Sequence, residues 1–224
     1  MRTNSRACRT RGLTFLEAVA VAAVLFISLV MIWPWIPRQA KPRSSRVNCV
    51  SRLKQIGLAL RMWSNDNGDQ FPWQVSCETN GTLEFAESTN VFHHFLALSN
   101  ELSSPKVLAC TSDMKVSQES DWTKLNNTHL SYFVGLDSNE AFPQTILSGD
   151  RNITGGVLAS NGIMRFGATN QAGWGTDLHN RQGNIGLADG SAQQFSEKSL
   201  PRQFQSALLS TNVAALRFSI PKPN

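Results

Sequence analysis

The chain lacks the short signatures of the commoner enzyme classes. Its 224 residues contain no P-loop, no nucleophile elbow and no H-E-x-x-H, so phosphate-cradling, serine-hydrolase and zincin chemistries have no motif to rest on. No internal repeat occurs, which sets aside solenoids and propellers. Cysteine is sparse: Cys8, Cys49, Cys77 and Cys110 are the only four, and the intervals of 28 and 33 residues among the last three fit no zinc module. Charge is also sparse, and one long stretch, Ala18 to Trp33, has none.

What charge there is sits unevenly. The net charge of +5 would suit a nucleic-acid binder. Arg2, Arg6, Arg9 and Arg11 supply four of those five charges, leaving +1 for everything after Gly12. A second basic group, Arg38, Lys41, Arg43 and Arg46, follows the uncharged stretch, and no basic stripe interleaved with aromatics appears elsewhere. Nucleic acid is therefore not an expected partner.

The residues from 13 to 36 form a continuous apolar segment broken only by Glu17. At ~1.5 Å per residue it is long enough to cross a hydrocarbon core of about 30 Å. Trp33 and Trp35 stand at its outer end as interfacial aromatics do, and Pro34 and Pro37 should kink or end the helix. Basic residues before the segment keep that end cytoplasmic. A secretory signal would have an apolar core of about 7–15 residues and a small-x-small site after it. Here the core is longer, no such site follows, and a carboxylate lies inside. A plain signal anchor shares this composition and stays open.

Gly12-Leu13-Thr14-Phe15-Leu16-Glu17, after a short basic leader and before a long apolar helix, resembles the class III signal of type IV pilins and type II secretion pseudopilins. Leu13 stands where that family usually has Phe, and Phe15-Leu16 replaces Leu-Ile, both apolar for apolar. The resemblance implies cleavage after Gly12 by a prepilin peptidase and N-methylation of Leu13. It also implies a role for Glu17 in meeting the terminal amine of a neighbouring subunit during assembly. A carboxylate in a membrane segment is costly, so one that is kept is expected to have such a use.

Further along, residues 38–45 read as a polar joint, with helix resuming near Arg46. Val50, Leu53, Ile56, Leu60 and Trp63 recur at helical spacing and mark one apolar face. The helix stops in Asn65-Asp66-Asn67-Gly68-Asp69. Residues 73–130 carry little pattern beyond a short helix at Val91 to Leu98, and a further helix is expected over 200–212. Adjacent His93 and His94 point about 100° apart on a helix and lack ligands at metal spacing. From Ser131 the chain turns β-like. Candidate strands are 131–135, 145–147, 156–159, 184–188, 192–196 and 216–220, with an antiparallel hairpin at Asp189-Gly190.

Asn48 to Leu60, then Asp66-Asn67-Gly68-Asp69-Gln70-Phe71-Pro72, resemble a bacterial group of prepilin-like proteins found in planctomycetes and verrucomicrobia. The stretch Pro105 to Asp113 resembles that group's Pro-x-x-(apolar)-x-Cys-Pro-x-Asp, with Thr111 in place of Pro. Ser148-Gly149-Asp150-Arg151-Asn152 and the H-x9-DG spacing of His179 to Asp189-Gly190 match it too. Asp150, His179 and Asp189 are candidates for a metal or general-base site. The pseudopilin resemblance makes calcium conceivable at Asp150 or Asp189. The alternative is structural: Asp189 shaping its turn, His179 capping a loop and Asp150 pairing with an arginine. No cofactor and no enzymatic activity are otherwise expected.

In an extracytoplasmic head three cysteines give one disulfide and one free thiol, and the sequence does not fix the pairing. Cys49 falls on a helix, which favours Cys77 with Cys110.

The expected fold is α+β and pilin-like: a leader over 1–12, a transmembrane helix over 13–36, the outer half of a spine helix over 37–66, and a small antiparallel head over 67–224. The resemblance implies a structural subunit of a pseudopilus or pilus, in a type II secretion or type IV pilus-like system. It would sit in the bacterial inner membrane with its amino terminus cytoplasmic and its head periplasmic. Its partners would be the prepilin peptidase, other copies or related pseudopilins, the inner-membrane assembly platform and membrane lipid. The alternative is a membrane-anchored binding module that does not polymerise.

Overall fold

The computed structural model describes residues 15–32 and 40–222. Gly12, Leu13 and the 33–37 segment lie outside these residues, and so do the cleavage, methylation and kink expectations attached to them. The chain divides into two units, Met1–Lys41 and Pro42–Asn224.

In the first, α1 spans Phe15–Ile32, with mean hydropathy 2.6 and no buried residue. Its 18 residues cover roughly 27 Å. That is the length and composition of a membrane anchor or of a signal sequence, and a helix is the form such a segment takes in lipid, where its backbone must bond internally.

The second unit begins on α2, Ala40–Asp66. Helix therefore starts earlier than Arg46, and residues 40–45 are helical, not a polar joint. Pro42 permits this because it lies in the first turn, where its missing N–H would have had no partner. Of the expected face Leu53, Ile56, Leu60 and Trp63 are buried, joined by Cys49 and Ala59, while Val50 at its edge is half-buried. The helix ends as expected in the Asn-Gly-Asp cluster. Asn67 Nδ2 donates to the Trp63 carbonyl at 2.7 Å, and Gly68 and Asp69 take positive φ.

All six candidate strands form, and all belong to one antiparallel sheet: β1 (Tyr132–Gly135), β2 (Ile146–Asp150), β4 (Val157–Leu158), β7 (Gln182–Leu187), β8 (Ala192–Ser196) and β9 (Ala215–Ser219). A seventh member, β5 (Met164–Gly167), was not expected. Its four residues offer one buried side chain, Phe166, so alternation is barely visible. A separate ribbon pairs β3 (Ile153–Thr154) with β6 (Gly173–Trp174). The sheet order is β4-β5-β9-β1-β2-β7-β8.

Both faces of the sheet are covered. Tyr132 and Val134 face the core shared with α2, while Phe133 between them belongs to the opposite core. There α4 (Leu200–Thr211) packs Leu200, Phe204 and Ala207 under the sheet, while the shorter α3 (Phe92–Leu96) forms within the expected 91–98 stretch. Phe133, Phe166, Phe204 and Phe218 meet edge to face or tilted, with centroids 4.9–5.5 Å apart. Gly149 makes room for this layer, since a Cβ there would lie 2.7 Å from the Phe133 ring.

The β7–β8 hairpin forms at Asp189-Gly190, with Gly190 at φ +81°. Its tip rests on α2. The Gly190 backbone comes within van der Waals reach of the Gly57 position, and Arg61 Nη1 donates to the Asp189 carbonyl at 2.9 Å.

Candidate functional site

The disulfide joins Cys49 to Cys110. This corrects the expected Cys77–Cys110 pairing. Cys49 lies on the face of α2 that packs on the sheet, so its helical position aims it at the core. Its Cα stands 5.5 Å from that of Cys110, within the usual range for a bridge. Cys77 is exposed and free; hydrogen bonding to Glu84 raises its thiol pKa.

The loop carrying Cys110 is held from both sides. From α2, Arg52 Nη1 donates to the carbonyls of Lys106 and Ala109. From β1's entry, Ser131 Oγ accepts from the Cys110 N–H at 2.8 Å and donates to Asp113 Oδ2 at 3.0 Å. Arg151 closes the set with a bidentate pair, Nε and Nη2 each 2.6 Å from an Asp113 oxygen. Those side chains are 8% and 1% exposed. Such a buried pair is tolerable because its geometry is two parallel charge-assisted bonds.

Beside the disulfide stands His179, with Nε2 3.6 Å from Cys110 Sγ and 3.4 Å from Asp150 Oδ2. Asp150 ends β2 and is fully buried. Its Oδ2 accepts from the Asn184 backbone N–H at 2.8 Å and side-chain amide at 2.9 Å, while Oδ1 has no partner. Burial pushes the Asp150 carboxyl up to about 7, against the Asn184 bonds that favour its anion. Burial, then the Arg46 charge, pushes His179 down to about 4. The imidazole is neutral at neutral pH, so this contact is a polar one within the core and not an ion pair. Tyr132, paired with Asp150 across the β1–β2 ladder, is likewise raised by burial and then by Asp150.

Of the three sequence candidates, the fold brings Asp150 and His179 together and leaves Asp189 apart. Asp150 is bonded to Asn184 near the start of β7, whereas Asp189 lies beyond its far end, roughly 16 Å away at ~3.3 Å per residue. The Asp189 side chain accepts from the Ser191 N–H at 2.8 Å and shapes the turn. The two carboxylates therefore do not share one site with His179. The structural alternative needs correcting as well: the arginine pairs with Asp113, and His179 caps no loop but is buried against sulfur. Ser148, Asp150, Arg151 and Asn152 are each tied into this region by side-chain hydrogen bonds. Ser148 Oγ donates to the Phe133 carbonyl at 2.7 Å, and Asn152 Nδ2 to that of Gly175 at 3.0 Å.

Cys49, Asp113, Arg151 and Asn184 were missed as site residues. Cys110-x-x-Asp113 and the adjacent Asp150-Arg151 were the only signals of the link. His93 and His94 part company: His93 stacks on Phe85 at 3.6 Å, and His94 is buried, with Nδ1 2.7 Å from Thr82 Oγ1 and its ring edge-on to Trp73.

A cleft of about 250 Å³ reaches His179, lined also by Ser45, Arg46, Ser112, Leu178, Asn180 and Gln182. A larger cleft of about 380 Å³ lies elsewhere, beside Trp73, Phe142 and Arg217. Its Arg217 is already bonded to Asp137 and Glu87 at 2.7 Å, so it offers a ligand no uncompensated charge. The disulfide site, by contrast, cross-links α2 to the 105–113 loop and gathers soft and imidazole donors. The atoms of Cys49, Cys110 and His179 all lie within 4.8 Å of one another.

Comparison with known proteins returns no match: no family model, no curated protein and no solved structure matches this chain.

Proposed function

We propose that the chain is a prepilin-like structural subunit, cleaved after Gly12, N-methylated at Leu13 and assembled into a pseudopilus or pilus. The observation that carries this reading is the two-sidedness of α2. Its buried face holds the sheet. On the opposite face Val47, Leu58 and Met62 are 59%, 60% and 50% exposed, aligned with Ser51, Lys54 and Asn65. A helix serving only its own head has no need of apolar residues on the solvent side. A helix packed among copies of itself has such a need. The apolar α1 before it, whose one charged residue is Glu17 in the first turn, supplies the remaining assembly surface. In this account Glu17 meets the Leu13 amine of an adjacent subunit, as the pilin resemblance implies.

The test uses the full chain in its native cells. Leu58→Glu should leave the thermal stability of the head within about 0.5 kcal/mol, as exposed substitutions do. It should nevertheless abolish recovery in sheared filaments, and Glu17→Ala should reduce recovery while cleavage proceeds. If both variants enter filaments at the parent level, the account is wrong. If the parent enters none while the cells' assembly machinery works on other subunits, the chain is instead an anchored module that does not polymerise.

A further inference from the structure

We propose that Cys49, Cys110 and His179 form a zinc site when the Cys49–Cys110 disulfide is reduced, so that this one position in the core alternates between a covalent and a metal cross-link. The inference rests on the core geometry and not on the filament reading.

Two thiolates and an imidazole are a donor set that Zn²⁺ takes readily, and it binds at about 2.3 Å to sulfur and about 2.0–2.1 Å to nitrogen. Ligands at those lengths and tetrahedral angles stand about 3.6 Å apart for sulfur and nitrogen. His179 Nε2 already stands 3.6 Å from Cys110 Sγ. An oxygen ligand would lie about 3.4 Å from the same nitrogen, and Asp150 Oδ2 stands at 3.4 Å. The three donors are buried, at 0%, 2% and 7% exposure. One further observation points to a cation. Asp150 Oδ1 is buried without a hydrogen-bond partner, an arrangement that costs free energy unless something positive approaches. The cleft at Ser112 and His179 gives an entry path.

The chemistry balances with a dithiol reductant. Its two thiols pass two electrons and two protons to the disulfide, giving two protein thiols and an oxidised, disulfide-form reductant. Zn²⁺ then displaces both thiol protons to solvent and takes the Nε2 lone pair of neutral His179. The two sulfur atoms move apart to about 3.8 Å, the tetrahedral sulfur–sulfur separation. The fourth position falls to Asp150 or to water from the cleft.

The experiment uses the full chain in detergent, in a Cys8→Ser, Cys77→Ser background that removes the other thiols. The protein is reduced with dithiothreitol, freed of it anaerobically and titrated with Zn²⁺, with Co²⁺ as the optical probe. The account expects one metal per chain in the reduced form and none in the oxidised form. It expects thiolate-to-Co²⁺ charge-transfer and intense tetrahedral d–d bands, and a loss of affinity of about tenfold or more in His179→Gln. Circular dichroism follows the fold alongside. A reduced chain that stays folded and binds no metal overturns the proposal, and so does one that unfolds on reduction and is not refolded by Zn²⁺. Unchanged affinity in His179→Gln or Cys110→Ser overturns it as well.

Discussion

The two faces of the sheet are built from opposite materials. Beneath α4 the core is the dry, aromatic side: Phe133, Phe166, Phe204 and Phe218 pack edge to face or tilted against one another. Beneath α2 the apolar helix face is interrupted by a disulfide, a histidine, two aspartates, an arginine and a tyrosine. β1 serves both, sending Phe133 one way and Tyr132 the other. The lesson is that the dry face needs only shape and volume to hold, whereas the wet face holds only while each polar group keeps its particular partner. Its stability is thereby conditional on redox state and pH.

That difference can be broken from each side. Phe218→Ala should cost about 3–5 kcal/mol by cavity formation, equally in oxidised and reduced protein, by urea unfolding. Arg151→Leu on the other face should cost a similar amount, about 3–5 kcal/mol, because it leaves the Asp113 carboxylate buried and unpaired. The two are told apart by rescue. Adding Asp113→Asn should recover much of the Arg151→Leu loss, and no polar partner substitution should recover Phe218→Ala. Without rescue, the pair would not be the organising contact.

Reduction of Cys49–Cys110 in metal-free buffer should remove about 4 kcal/mol, the entropy of a loop whose ends are 61 residues apart. The protected amides of β9 and α4 should be the last to exchange.

The smallest effect concerns His94. Burial, then the neighbouring charge of His93, holds its pKa down to about 4, from 6.5 in the unfolded chain. As pH falls from 6.5 to 4, the unfolded chain takes up the proton first. The contribution is therefore full above pH 6.5 and is lost progressively on acidification, by about 3 kcal/mol in all. Asp150, raised from 3.8 to about 7, works in the other direction: its contribution is full below pH 3.8 and is lost as pH rises through 7. The His94 share is isolated by subtracting a His94→Leu curve from the parent's. A pH-independent difference between them would mean that His94 is not kept neutral by its site.

How much of this was legible in the sequence follows the range of the interactions. The buried face of α2 is written in a spacing of three and four residues. The strands are written in short β-like runs separated by Gly, Asn and Asp, and the Asp189-Gly190 hairpin in a glycine that tolerates positive φ. These are local rules, and they held. The early start of α2 was missed because Pro42 looks like a breaker until its place in the first turn is known. β5 was missed because Phe166 alone carries its pattern. The disulfide was misassigned because pairing depends on where a helix face meets a loop 61 residues away, which no local pattern encodes. His179 and Asp150 were recognised as chemistry-bearing. Their true neighbour, the Cys110 sulfur, emerges only when α2, the 105–113 loop and β7 are brought together.

The measurement that tests the proposed function most directly is intact mass with amino-terminal sequencing of the protein extracted from its native membranes. The account predicts a chain beginning at N-methylated Leu13. A chain beginning at Met1 would make α1 an ordinary anchor, and one beginning beyond Ile36 would make it a discarded signal. Either would contradict the filament-subunit reading.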